Sequence, residues 1–167
     1  MSRVCLSRHP AVAYLFLVRP SRHMPLDHLT RIQYSMLNSR QKENYNYQKI
    51  AGVLADYGFI THRLSDDWNG ADFIARHIDG TRFLKVQLKG RLSFARKYLG
   101  QDIWIAFPIP EGWYFFPHDE ILDFALQHTK IKQTDSWTTH GAYSFPHVPP
   151  SLTEILARYR ITNDAKA

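Results

Sequence analysis

Gly70-Ala71-Asp72-Phe73-Ile74-Ala75-Arg76-His77-Ile78-Asp79-Gly80-Thr81-Arg82-Phe83-Leu84-Lys85-Val86-Gln87-Leu88-Lys89 is the stretch that decides the fold. Two runs of β-prone residues flank Asp79-Gly80. Asp-Gly in that setting is the strongest short-range signal for a two-residue hairpin turn. With Asp79 and Gly80 as the loop, Ile78 faces Thr81, and the ladder runs back to set Asp72 directly opposite Gln87. Side chains paired in that way stand roughly 5 Å apart on one face. Lys89 shares the face, because strand side chains alternate with a period of two. A carboxylate, an amide and an ammonium converge by pairing alone.

The opposite face checks the register. Its pairs are Ala71 with Leu88, Phe73 with Val86, Ala75 with Leu84 and His77 with Arg82. Three are apolar, and the polar one lies nearest the turn. A slip of one residue would carry one strand's apolar set to the wrong side. The Asp72 face also carries Ile74 and Phe83, so it is expected to be covered along its length. A lysine on a covered face needs a partner or a purpose.

The chain of 167 residues suffices for one domain with a real core. A net charge of +6 favours a polyanionic partner, nucleic acid first. The single cysteine, Cys5, excludes an internal disulfide and a cysteine zinc cluster. The nine histidines show no zinc-site spacing. The expected compartment is the cytoplasm. Ala11 to Val18 is an apolar run too short to span a membrane, and no small-residue cleavage site follows it. Residues 1–35 are read as a poorly ordered extension or an over-long start, with Met24 and Met36 as alternative starts, and residues 36–167 as the functional domain.

Residues 38–57 read as a helix capped by Asn38 or Ser39 and ended by Gly58, with Tyr47, Ile50, Ala51, Leu54 and Ala55 as its apolar stripe. Glu43 falls on that stripe near the helix start. Phe59 to Leu64 reads as a strand and Ser65 to Gly70 as a loop. Residues 90–99 read as a short helix or loop in which Arg91, Arg96 and Lys97 mix with Phe94 and Tyr98, a composition suited to a nucleic-acid backbone. Strands follow over 102–109 and 113–116, then a helix over 118–128. An irregular stretch covers 129–150. A last helix spans 151–159, with Ser151 and Glu154 as a capping box. This order predicts a mixed α/β sheet flanked by helices.

Asp72 opening one strand, Gln87-Leu88-Lys89 on the next, and a preceding helix bearing Glu43 resemble the PD-(D/E)xK nucleases, a superfamily of restriction-endonuclease-like fold that includes Holliday-junction resolvases. The resemblance covers roughly residues 38–128. Two positions depart from the family pattern: Ala71 stands where proline precedes the aspartate, and Gln87 replaces the second acid. The resemblance implies metal-assisted phosphodiester hydrolysis, with Mg²⁺ as cofactor and Mn²⁺ as substitute. Asp72, Gln87 through its amide oxygen, the Leu88 carbonyl and Glu43 would be its ligands. Lys89 would orient the nucleophile and stabilise the transition state. Arg91, Arg96 and Lys97 would grip phosphates, and Trp68 would border the site and stack or pack there.

Two functions stay open at this point. One is an endonuclease acting on DNA, with RNA as an alternative substrate, and with a homodimer as a natural way to cut two strands. The other is a catalytically weak module on the same fold that binds nucleic acid or a partner protein. Loss of one acid favours the second; joint retention of Asp72 and Lys89 favours the first.

Overall fold

The computed structural model describes residues 29–162, with the backbone alone at residues 67 and 68. One compact unit begins at Tyr34. Residues 1–28, which include the Ala11 to Val18 run, lie outside the described residues. A 3-10 turn at Tyr34–Met36 precedes the first helix, and its Tyr34 hydroxyl accepts from Asn46 Nδ2 at 2.9 Å.

The first helix, α1, spans Ser39–Asp56. Asn38 caps it reciprocally with Gln41: each side chain accepts from the other's backbone N–H at 2.9 Å. Its buried residues are Asn46, Ile50, Val53 and Leu54. The stripe is therefore rotated from the expected one: Val53 and Asn46 are buried, whereas Ala55 is exposed.

Six strands form one sheet in the order β1-β2-β3-β5-β6-β8. They are β1 (Phe59–Trp68), β2 (Ala71–His77), β3 (Phe83–Leu88), β5 (Ile103–Ile109), β6 (Gly112–Pro117) and β8 (Arg160–Ile161). Among the described residues only β3 and β5 pair in parallel. Two short strands, β4 (Ser93–Ala95) and β7 (Ala142–Ser144), make a separate ribbon. The remaining helices are α2 (His118–His128), α3 (Asp135–His140) and α4 (Pro150–Ala157). The fold is the mixed sheet with flanking helices expected from the order of elements.

The sheet has a core on each face. Ile50, Val53 and Leu54 of α1 pack on Phe73, Ala75, Val86 and Ala106. On the other side Ile121 and Leu122 of α2 and Leu152 and Leu156 of α4 pack on Ile103, Ile105 and Phe107. Ala71, grouped with Phe73 by alternation, packs instead in this second cluster.

The β2–β3 register is as expected, with Phe73 opposite Val86 and Ala75 opposite Leu84. The turn is not. His77 N–H donates to Arg82 O at 2.9 Å, so four residues, Ile78 to Thr81, make the loop. Asp79 organises it by accepting from Thr81 N–H at 2.9 Å and from the Arg82 guanidinium. These bonds hold its carboxyl well below the usual carboxylate range. A four-residue loop preserves the pairing because it removes one residue from each strand end. The two-residue turn lies earlier. Trp68 pairs with Ala71, and Asn69 and Gly70 both take positive φ, 52° and 87°. That is the backbone a tight hairpin requires. Hence β1 continues to Trp68 where a loop from Ser65 was expected, with a register shift between Arg63 and Trp68.

Three further expectations are corrected. Residues 129–150 contain a 3-10 turn at Ile131–Gln133, then α3 and β7. The last helix begins at Pro150 and has no side-chain cap, so Ser151 and Glu154 form no capping box. Proline at the first helical position lacks the N–H a cap would satisfy. The Asp72 face is open at its far end, where Phe83 is 55% exposed.

Candidate active site

Asp72 enters β2 directly after the Asn69-Gly70 turn, and Gln87 lies near the end of β3. The two meet as the register requires. Asp72 Oδ2 accepts from Gln87 Nε2 and from the Leu88 backbone N–H, the latter at 2.7 Å. Gln87 is buried at 7% exposure, so its polar ends need partners. Its Oε1 accepts from the Tyr98 hydroxyl at 3.0 Å, and Nε2 also stands 3.4 Å from the Leu88 carbonyl. Lys89 Nζ donates to the same Tyr98 hydroxyl at 3.0 Å. Lys89 is kept in line because its N–H donates to Ala106 O of β5 at 2.8 Å, which extends the parallel ladder past the end of β3. A continuous hydrogen-bonded path therefore runs Lys89–Tyr98–Gln87–Asp72.

Asp72 also lines a cleft of about 890 Å³, together with Ser39, Arg40, Glu43, Asn44, Arg63 and Asp66. Glu43 faces this cleft from α1. It is not buried on the apolar stripe as expected: its side chain is 54% exposed and is held by the Arg63 guanidinium, which also donates to Asn44 Oδ1. The Arg63 guanidinium also sits over the Tyr47 ring, 5.3 Å from its centroid. The structure thus brings Asp72, Gln87, Leu88 and Lys89 together, and sets Glu43 on the same cleft as Asp72.

The expected phosphate-gripping residues are exposed but scattered. Arg91 follows β3, Arg96 lies 5.0 Å from the Trp137 ring, and Lys97 lies 5.0 Å from the Tyr98 ring. Lys97 also borders a smaller cavity with Asn69, Gly70 and Gln101. The Trp68 side chain lies outside the described portion.

Sequence reasoning missed Arg40, Arg63, Asp66 and the role of Tyr98. Alternation along β1 could have aimed Arg63 at the site only if the register shift before Trp68 were known. Tyr98 arrives on a 3-10 turn at Arg96–Tyr98, whose position no periodicity reveals.

Beneath the site sits His118, fully buried at the start of α2. Its Nε2 accepts from Ala95 N–H at 3.3 Å, so the ring proton is on Nδ1, which donates to Asp119 Oδ1 at 2.7 Å. Burial pushes its pKa down, opposed by the bond and charge of Asp119 and reinforced by the Lys89 charge.

Against known proteins, no family model matches this chain, and no curated protein does. Among solved structures, the chain is similar to that of Archaeoglobus fulgidus Hjc, a Holliday junction resolvase from an archaeal hyperthermophile. The likeness has 18% identity and a TM-score of 0.39, over 47% of this chain and 74% of that one.

Proposed function

We propose that this chain is a metal-dependent endonuclease that hydrolyses phosphodiester bonds in DNA. The observation that carries the reading is the path joining Lys89 to Asp72, with Asp72 on the wall of a cleft that also holds Glu43, Arg40 and Arg63. An ammonium fixed near a carboxylate, beside a cleft with two guanidinium groups, suits a phosphodiester.

The donor set suits a loosely held hard cation. Mg²⁺ takes oxygen ligands, often one or two carboxylates, and keeps several waters. Asp72 and Glu43 would hold it, with the Leu88 carbonyl as a neutral oxygen. Gln87 would join only if its amide turned over. Among the described residues no group of three or more His, Cys, Asp or Glu is placed to hold a metal ion, so the cation would rest on the two carboxylates, backbone oxygen and water. When bound, Mg²⁺, or Mn²⁺ in its place, supplies charge neutralisation at the phosphate and an activated water. The chain's own residues do the rest. Lys89 stabilises charge that develops on the phosphate in the transition state. Arg63 and Arg40 contact phosphate oxygens, and the exposed Arg91, Arg96 and Lys97 hold flanking backbone.

The test is cleavage of a supercoiled plasmid and of a synthetic branched DNA junction with Mg²⁺ or Mn²⁺, against EDTA and Lys89→Ala controls. Cleavage should need the metal. Lys89→Ala should lose about 10²–10³-fold in rate, the scale for removing one transition-state donor, while unfolding as wild type does. Cleavage that survives EDTA, or a fully active Lys89→Ala, overturns the proposal. The amide at Gln87, where the family pattern carries a second acid, favours a second reading, a binding module. Salt-sensitive DNA binding without cleavage of either substrate would select it.

A further inference from the structure

We infer that Tyr98 is a positioning residue of this site: its buried hydroxyl sets which end of the Gln87 amide faces Asp72, and it anchors the Lys89 ammonium. The catalytic consequence rests on the nuclease reading, whereas the geometric claim can be tested without it.

A glutamine amide has a donor end and an acceptor end of nearly equal shape, so its neighbours decide which way it points. Lys89 Nζ can only donate, and it donates to the Tyr98 oxygen. Tyr98 has one proton, and it goes to Gln87 Oε1 at 3.0 Å. The acceptor end of Gln87 is thereby committed, and Nε2 is left to donate to Asp72 Oδ2. Turned over, the amide would set its oxygen against the Asp72 carboxylate and its donor against Tyr98. The Tyr98 proton would then lack its acceptor. Each mismatch lies in buried surroundings where an unmade hydrogen bond is costly. Gln87 therefore acts as a brace on Asp72, and the site works with one acid fewer on its central strands.

The hydroxyl is held in place from several directions. Tyr98 is 2% exposed. Its ring meets that of His118 edge-on, with centroids 5.4 Å apart. It also lies so close to Gly70 that a Cβ there would stand 2.7 Å from the ring. The segment that carries it is pinned at both ends to the start of α2: Ala95 N–H donates to His118 Nε2, and Gly100 N–H donates to Asp119 Oδ2 at 2.8 Å. Packing alone would be served equally well by phenylalanine. The hydroxyl is what this arrangement delivers.

Tyr98→Phe keeps the ring and removes the hydroxyl. Turnover at saturating DNA should fall about 10–100-fold, the usual effect of losing a residue that orients a site ligand, with DNA affinity unchanged and the melting temperature lowered by no more than the lost buried hydrogen bonds explain. Turnover equal to wild type overturns the inference. So does a loss of DNA affinity as large as the loss of turnover, which marks a structural role. The second readout is the Gln87 side-chain amide followed by ¹⁵N NMR, assigned through its disappearance in Gln87→Glu. In wild type it should exchange slowly with solvent, and in Tyr98→Phe quickly. If wild type cleaves no DNA, the nuclease reading fails, and this amide decides alone. Protection lost with the hydroxyl supports the inference; protection absent in wild type, or unchanged in the variant, overturns it.

Discussion

At Glu43, stability and activity can be separated. Its pair with Arg63 is exposed, at 39% and 54% of the two side chains, and ion pairs of that kind are worth roughly 0–1 kcal/mol. Glu43→Gln should therefore leave the unfolding free energy within about 1 kcal/mol in a urea titration. If Glu43 serves the metal, the same variant should cleave DNA about 10–100-fold more slowly. Unchanged rates would show that Glu43 serves only Arg63. Asp72→Asn is the sharper case: metal-dependent cleavage should vanish, and retained cleavage would remove Asp72 from the mechanism. At this scale Asp72, Gln87 and Lys89 could be read from the chain because strand alternation is a local rule. Tyr98 could not, because its place depends on the packing of a 3-10 turn against α2.

At the scale of elements, the two hairpins exchange the roles their turn residues suggest. Asp79-Gly80 looks like a tight turn but sits in a four-residue loop, and Asn69-Gly70, read as part of a longer loop, is the tight one. The register of β2 and β3 was legible regardless, since both loop lengths keep the same residues opposite each other. Gly70 has a second duty. Its φ of 87° disfavours any side chain, and its missing Cβ makes room for the Tyr98 ring. Gly70→Ala should cost at least about 1–3 kcal/mol of stability, measurable by urea denaturation, and should impair cleavage by shifting Tyr98. A variant as stable and active as wild type would show that the turn relaxes freely. Among the elements left unread, which include β4 and β8, α3 and β7 are six and three residues long, too short for any period to emerge from Asp135-Ser136-Trp137-Thr138-Thr139-His140 or Ala142-Tyr143-Ser144.

At the scale of the whole molecule, the sheet lies between two cores, and His118 is buried in the side that supports the site. Its depressed pKa links folding to acidity. Below pH 6.5 the unfolded chain binds a proton at this position that the folded chain resists. Stability from this group is therefore complete above pH 6.5 and declines as pH falls toward the lower, folded-state pKa. The melting temperature should drop between neutral pH and about pH 5, and the drop should be smaller in His118→Gln. An equal drop in both would place the sensitivity elsewhere.

The register shift inside β1 has a consequence for self-association. An outer strand with its hydrogen-bonding edge unclaimed is a template on which other chains can grow into aggregates. At one border of this sheet β8 is only two residues long. At the other, β1 is ten residues long but changes register after Arg63. A straight incoming strand could follow it in step only along Phe59 to Arg63, where His62 and Arg63 are exposed. Among the described residues neither border offers a long, even edge to a copy of the chain, so any self-association through these residues would have to use surfaces other than an extended sheet.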